Sequence, residues 1–242
     1  MRYGIISDIH SNLEALHSVL NALSGQAIDR YVCVGDIVGY GADPVACVNL
    51  IRRLDPIIVI GNHDAACVGK ADVFNFNAKA RTAVEWTGTA LDEQSLAYLE
   101  TLKYIENDGK LFTLVHGTLH EPEVFSYMIS IDQAQDSFGR LESAILFVGH
   151  THVPGVFELR NGRIRYSYMN KMRLASNARY IVNAGSVGQP RDGDNRACYV
   201  VYDTVRRSVD IERVDYDIKT AERKILEAGL PEMLAYRLES GM

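Results

Sequence analysis

The chain has 242 residues, 47% of them hydrophobic and 23% charged, a composition typical of a globular protein with a sizeable core. Its formal net charge of -6 gives no broad positive field, which disfavours a long nucleic acid as a partner. No apolar run approaches the ~20 residues that a membrane helix needs, and charged residues interrupt the N-terminus too early for a signal peptide. We therefore expect no membrane association and a cytoplasmic location, and interpret three of the four scattered cysteines as small core residues.

The first sixty residues alternate predicted strands and helices. Strands are predicted over 3–6, 31–34 and 56–60, and helices over 12–23 and 44–54. Apolar residues recur at helical spacing in the first helix, for which Ser11 is the predicted N-cap. Because the strands are continuous apolar runs between helices, they predict a parallel sheet buried on both faces.

The rest of the chain is predicted to be helical at first and then rich in strands. A helical insertion is expected at about 64–102, followed by two buried strands over 111–115 and 144–148. Turn-linked strands over 153–159, 163–168, 179–182, 197–203 and 209–214 indicate a second, more antiparallel sheet, and helices over about 217–239 close the chain. No repeat, low-complexity tract or linker interrupts the sequence, so we expect one domain over 1–242.

Polar side chains follow five of the predicted strands, at the point where each strand ends. They are Asp8 and His10, then Asp36, then Asn62, His63 and Asp64, then His116, and last His150 and His152. Because the carboxyl ends of parallel strands form the ligand-binding edge of a sheet, we expect these side chains to meet. Carboxylates, imidazoles and an amide suit divalent ions such as Mn, Fe, Zn, Co or Ni, with Mn favoured. The set lacks the cysteine thiolates of a structural zinc site.

These residues occur in five short blocks that resemble the calcineurin-like metallophosphoesterase superfamily. The blocks are Asp8-Ile9-His10, Gly35-Asp36, Gly61-Asn62-His63-Asp64, Val115-His116-Gly117 and Gly149-His150-Thr151-His152. The stretch 183–191, which ends at Arg191, is similar to the tail block of small bacterial phosphodiesterases in that superfamily. The resemblance covers nearly the whole chain and implies an α/β fold, a four-layer α-β-β-α sandwich of two mixed β-sheets flanked by helices.

The resemblance also implies a role for each polar residue. One divalent ion would be bound by Asp8, His10 and His152, a second by Asn62, His116 and His150, and Asp36 would bridge the two. His63 is not a ligand in the family and is the expected general acid. The implied reaction is hydrolysis of a phosphodiester or phosphomonoester, on a small-molecule or nucleotide substrate, by in-line attack of a metal-bridging hydroxide. The resemblance to the subgroup favours the diester.

One departure from the family bears on the substrate. Phosphoprotein phosphatases of the superfamily have Asp-Arg-Gly shortly after the bridging aspartate, whereas this chain has Gly39-Tyr40-Gly41, which argues against a protein phosphatase. Arg191 is a candidate phosphate clamp because a guanidinium can bind phosphate through two hydrogen bonds. An ion pair with the neighbouring Asp192 or Asp194 is an equal alternative for Arg191.

Three aromatic residues near the blocks, Tyr40, Phe76 and Tyr127, are interpreted as packing residues, with stacking on a base or an aromatic leaving group as the alternative. Two other functions remain open. A binding scaffold that has lost the chemistry has no need of His63, which is present here. A nuclease acting on a long polyanion needs a basic surface, which the composition disfavours.

Overall fold

Two six-stranded β-sheets packed face to face form the centre of the protein, as seen in a computed structural model that describes residues 1–242 apart from the side chain of Asn75. The strands, in chain order, are β1 (Arg2–Ile6), β2 (Arg30–Cys33), β3 (Ile57–Ile58), β4 (Ile105–Asp108), β5 (Phe112–Val115), β6 (Ile145–Val148), β7 (Gly155–Arg160), β8 (Arg163–Ser167), β9 (Lys171–Arg173), β10 (Ala178–Asn183), β11 (Ala197–Asp203) and β12 (Ser208–Val214). The helices are α1 (Leu13–Ser24), α2 (Pro44–Leu54), α3 (Asn62–Cys67), α4 (Ala78–Ala90), α5 (Glu93–Thr101), α6 (Ile131–Arg140), α7 (Ile218–Glu227) and α8 (Glu232–Ser240).

Both sheets mix parallel and antiparallel pairs, which confirms the predicted fold class. The first sheet has the order β3-β2-β1-β11-β12-β9, and its first three strands are parallel. The second has the order β4-β5-β6-β10-β7-β8, with β5, β6 and β10 parallel.

The strands after residue 153 do not form a sheet of their own, so that expectation was wrong. Strands β7, β8 and β10 complete the second sheet, whereas β9, β11 and β12 extend the first. The reason is that β11 is buried along its whole length, and it therefore pairs with β1 in the middle of a sheet.

Alternate residues of the central strands fill the space between the sheets. Along β11, Cys198, Val200 and Tyr202 pack into this inter-sheet core, while Tyr199 and Val201 pack into the core under the helices. The two-residue period of a strand sends successive side chains to opposite faces, so a strand buried on both faces is a continuous apolar run.

Helices cover the outer face of each sheet. Helices α1 and α2 share their core with the first sheet, and α6 packs on the second sheet through Ala134 and Phe138. The order of layers is therefore helix, sheet, sheet, helix. None of the helices in the described residues combines the length and apolar composition needed to cross a bilayer.

Helix α1 is capped by Asn12 rather than by the predicted Ser11. Asn12 Oδ1 accepts a hydrogen bond from the Ala15 amide at 3.1 Å, and Asn12 Nδ2 donates to the Gly188 carbonyl at 2.9 Å. The Ser11 hydroxyl is buried without a partner.

We expect Asn12→Ala to lower the free energy of unfolding by about 0.5–2 kcal/mol, the usual cost of losing an N-cap. Ser11→Ala is the matched control and should cost nothing measurable, because it removes a hydroxyl that makes no hydrogen bond. Urea unfolding of the two variants tests this, and equal losses would contradict the assignment of the cap.

Candidate metal centre

The polar residues of the five blocks converge at one end of the sandwich, from both sheets. Asp8, Asp36 and Asn62 lie at or near the ends of strands of the first sheet, whereas His116 and His150 follow strands of the second. The sequence predicted this convergence on the edge of one parallel sheet. The observed site instead lies across the ends of two sheets.

The backbone at these residues is in a conformation that is uncommon for side-chain-bearing residues. Five of them have φ angles between +49° and +67°, namely Asp8, His10, Asp36, His150 and His152. Each such backbone conformation costs about 1–3 kcal/mol of folding free energy and is kept only where the surrounding structure enforces it. Conformations of this kind are common at functional sites.

Three imidazole rings are fixed by hydrogen bonds to backbone carbonyls. The Nδ1 atoms of His10, His116 and His152 lie 3.1, 2.7 and 2.6 Å from the carbonyl oxygens of Val38, Val34 and Gln189. A carbonyl oxygen can only accept, so each Nδ1 carries its proton and donates it. In the neutral ring the lone pair is then on Nε2, the arrangement found in histidines that bind metals.

The Nε2 atoms fixed in this way lie close to one another and to carboxylate oxygens. His10 Nε2 is 3.1 Å from His152 Nε2, which is 3.3 Å from Asp8 Oδ1. Asp36 Oδ2 lies 3.3 Å from His116 Nε2 and 3.6 Å from His10 Nε2. Asp36 Oδ1 accepts the His63 amide at 2.9 Å, so Oδ2 remains to face both groups of ligands.

The residues pass a simple test of fit for cations. Asp36 Oδ2, Asn62 Oδ1 and His116 Nε2 are buried without a hydrogen-bond partner, an arrangement that is costly unless another group binds them. Ligand atoms lie within 4.8 Å of one another in three groups: Asp8, His10 and His152; Asp36, His116 and His150; and His10, Asp36 and His63.

Burial and neighbouring charges shift the pKa values of the site. Burial lowers the pKa values of His10, His150 and His152 well below the ordinary range, so their rings are neutral. Burial also lowers the pKa of His116, but the Asp36 and Asp8 carboxylates outweigh it and raise that pKa to about 9.

The carboxyl groups respond in different ways to the same burial. Burial raises the pKa of Asp8 to about 6. Burial would likewise raise the pKa of Asp36, but the positive charge of His116 outweighs it and holds that pKa well below its usual value.

His63 lines the cavity above these residues and is enclosed by other rings. Its ring centroid is 4.8 Å from that of His10, 4.4 Å from that of Tyr40 and 4.9 Å from that of Phe76. Burial lowers the pKa of His63 to about 4. Asp64 does not act on the ring through a hydrogen bond that the structure records. Its carboxylate accepts the amides of Val38 and Gly61, both at 3.1 Å, and so ties two site loops together.

Arg191 faces the cavity and forms no ion pair with its acidic neighbours. Asp192 pairs with Arg213, and Asp194 pairs with Arg196 at 2.7 Å. The Arg191 guanidinium lies over the Tyr40 ring, 5.6 Å from its centroid, and its Nε is buried without a partner.

Several residues that hold the site loops in place were assigned no supporting role from the sequence. Ser7 donates to Asp8 Oδ2 at 2.6 Å, and Asn183 Nδ2 donates to the Gly149 carbonyl at 2.8 Å. Ser186 Oγ donates to the Asp8 carbonyl at 2.7 Å and accepts the Gln189 amide at 2.8 Å. The signal for this supporting role was the stretch of small and polar residues over 183–191. Its hydrogen bonds hold the loops that carry the predicted ligands.

Comparison with known proteins agrees with the fold. The sequence profile of the calcineurin-like phosphoesterase superfamily domain matches residues 1–207. An uncharacterised protein of Methanocaldococcus jannaschii is 40% identical over 240 residues, which are 98% of this chain and 97% of that one. The crystal structure of a metallophosphoesterase from Sphaerobacter thermophilus is 40% identical and aligns with a TM-score of 0.88 over 100% of this chain and 99% of its own. A hypothetical protein from Pyrococcus horikoshii, 20% identical, shares the fold with a TM-score of 0.79 over 100% of this chain and 98% of its own. The chain therefore belongs to the calcineurin-like phosphoesterase superfamily.

Proposed function

We propose that this protein is a phosphoric ester hydrolase that depends on two divalent cations. One cation is held by Asp8, His10 and His152, the other by Asn62, His116 and His150, and Asp36 contacts both. The observation that carries the proposal is the 3.1 Å distance between His10 Nε2 and His152 Nε2. Both rings donate through Nδ1 and both are neutral, so two lone pairs face each other. That arrangement is repulsive unless a cation lies between them.

The cations and the protein residues supply different parts of the reaction. When bound, the cations draw charge from the phosphoryl oxygens and make a water acidic enough to attack phosphorus near neutral pH. Arg191 binds a phosphoryl oxygen through its guanidinium, in which Nη2 donates to Gln189 Oε1 at 2.9 Å and Nε has no partner. His63 donates a proton to the leaving oxygen. Burial lowers the pKa of this ring to about 4 and nearby cations also disfavour the protonated form, whereas the negative charge of a bound phosphate acts in the opposite direction.

The assignments of substrate, metal and location follow the resemblance to small bacterial phosphodiesterases of the superfamily. We propose a diester as the preferred substrate and manganese as the native metal, in a cytoplasmic protein. The similarity of residues 183–191 to small phosphodiesterases supports the diester.

Hydrolysis after metal removal and addition tests the function. Protein stripped with a chelator should not hydrolyse p-nitrophenyl phosphate or bis(p-nitrophenyl) phosphate. Added Mn²⁺ should restore hydrolysis, with the diester cleaved faster. Absence of turnover with Mn, Fe, Zn, Co and Ni would reject a hydrolase in favour of a binding scaffold, and a faster monoester would reverse the substrate assignment.

The space for His63 depends on Gly39. A methyl group at Gly39 would clash with the His63 ring at Nδ1, and the φ of Gly39 is +94°. We expect Gly39→Ala to lower turnover by about 100-fold, because a misplaced catalytic group can cost that much. Gly193 is the matched control: its φ is +82°, but a methyl group there meets nothing within 4 Å. Gly193→Ala should introduce the same backbone strain without a clash and leave turnover unchanged. Equal turnover in the two variants would contradict the role of Gly39.

A further inference from the structure

The cavity at the metal centre has room for far more than a phosphate group. Its volume is about 600 Å³, in the range of sites that hold whole drug-sized molecules. Besides the polar residues, it is lined by an apolar wall that consists of Phe76, Val124 and Tyr127. Neither the binding of cations nor the binding of a phosphate by Arg191 uses this wall. The remaining space and the apolar surface are therefore available to another part of the substrate.

Tyr127 presents an open aromatic surface to the cavity. Its ring stacks on that of His150, with the centroids 4.0 Å apart and the planes at 16°. Although one face is covered in this way, 46% of Tyr127 is exposed. Val124 is 60% exposed beside it. Half-covered aromatic residues next to a polar centre are typical of sites that hold a planar ligand group.

The backbone holds this surface in place. Phe125, between Val124 and Tyr127, has a φ of +54°, which is rare for a bulky aromatic residue, and its side chain is buried. A methyl group at Gly117, directly after His116, would collide with the backbone of Phe125 and Ser126. The loop is therefore anchored against the strand end that carries His116, in a strained conformation that leaves its neighbours in the cavity.

Phe76 contributes to the wall from a different part of the chain. Its ring meets His63 edge to face, with centroids 4.9 Å apart and planes at 88°. Tyr127 contacts a proposed metal ligand, and Phe76 contacts the proposed proton donor. A group esterified to a phosphate at the metals would therefore lie beside the wall.

We propose that the apolar wall is a subsite for a planar aromatic group carried by the alcohol that is esterified to the phosphate, either an aryl ring or the nucleobase of a nucleotide, with Tyr127 as the residue on which it stacks. This assignment rests on the proposed phosphoesterase function and narrows its substrates to aromatic phosphate esters.

Binding of stable phosphonates to the Mn²⁺-loaded protein, measured by calorimetry, tests the subsite without relying on turnover. Benzylphosphonate and cyclohexylmethylphosphonate carry the same anionic group and a ring of similar size, but only the first ring is planar. We expect benzylphosphonate to bind about fivefold tighter, as aromatic stacking adds to simple apolar burial. Phosphonate analogues of adenosine 5′-monophosphate and ribose 5-phosphate form a second pair, which differs by the nucleobase. The ratio of the two dissociation constants is compared between the pairs. A larger ratio in the second pair indicates a nucleobase, and a larger ratio in the first indicates an aryl group.

Variants identify the residue responsible. Tyr127→Ala should weaken benzylphosphonate by about fivefold and leave cyclohexylmethylphosphonate within twofold, whereas Tyr127→Phe should keep the preference. Tyr168→Ala is the matched control, because Tyr168 is 71% exposed and lies outside the cavity lining. Phe76→Leu removes the other aromatic ring of the wall, from a different part of the chain, and so tests the wall independently of Tyr127. Metal content is measured for each variant, so that an effect through His150 is separated from stacking.

Equal affinities for the two phosphonates, or no binding of either to protein that hydrolyses esters, would overturn the subsite. An equal loss of affinity for both phosphonates in Tyr127→Ala, at full metal content, would also overturn the subsite. A preference for planar ligands without hydrolysis of any ester would instead reject the hydrolase and leave the subsite standing.

Discussion

Replacing His63 by alanine should lower turnover by about 100- to 10,000-fold while both metal ions remain bound, because general acid catalysis contributes a factor of that size. The backbone amide of His63 would still donate to Asp36 Oδ1, so the variant keeps the support of the bridging carboxylate. The loss should be smallest for substrates whose leaving group is already a weak base, such as p-nitrophenolate, because these need no proton. Rates for an aryl and an alkyl ester, with metal content by elemental analysis, test the prediction.

The alternative is that His63 binds a metal itself, since its ring nitrogen lies within 4.8 Å of ligand atoms of His10 and Asp36. Loss of metal in His63→Ala, with equal effects on both esters, would support that alternative and contradict the assignment as an acid. His120→Ala is the matched control. His120 is exposed, lies outside the cavity lining, and should have no effect on either rate.

Replacing Asp36 by asparagine should abolish most of the stabilisation that metal ions give. At a free Mn²⁺ concentration of about 100 times its dissociation constant, binding should stabilise the native protein by about 2.7 kcal/mol and raise Tm by about 5–10 °C. Asparagine keeps the oxygen that accepts the His63 amide but replaces Oδ2, which faces His116 and His10, with an uncharged donor. The variant should therefore fold without metal and show little rise in Tm when Mn²⁺ is added.

The control for this experiment is Asp132→Asn, which removes one exposed carboxylate at the start of α6. It should retain the full rise in Tm. A similar rise in the Asp36 variant would show that the cation binds elsewhere, and the proposed bridging role of Asp36 would then be rejected.

The sequence was sufficient to predict the fold class and the convergence of the polar side chains, because the motif blocks lie directly after apolar strands. It was not sufficient for the partners of those side chains. The rings of His10 and His152 are set by the carbonyls of Val38 and Gln189, and a backbone carbonyl leaves no trace in residue identity. Arg191 remained ambiguous for a similar reason. Asp192 is paired with Arg213, which is 21 residues away in the chain.

The errors in the fold also have physical causes. Adjacent Ser11 and Asn12 are both good caps, and only the backbone conformation selects between them. Strand β4 was missed because its residues 105–108 include three polar ones and it lies at the edge of its sheet. The division of the later strands between the sheets depended on long-range pairing, which periodicity does not encode.

Because the candidate ligands are distributed over two sheets, the spacing between the sheets would affect the affinity for metal. Each proposed group of three takes residues from both sheets, so the packing between the sheets sets the distance across which a cation is bound. The inter-sheet core includes the packed rings of Tyr3, Phe112, Phe147 and Tyr202. Trimming one of these rings would let the two layers approach or tilt. If cations bind as proposed, residues far from them would act as spacers that set the coordination geometry, and a change in the interior would alter metal preference without any change in a ligand.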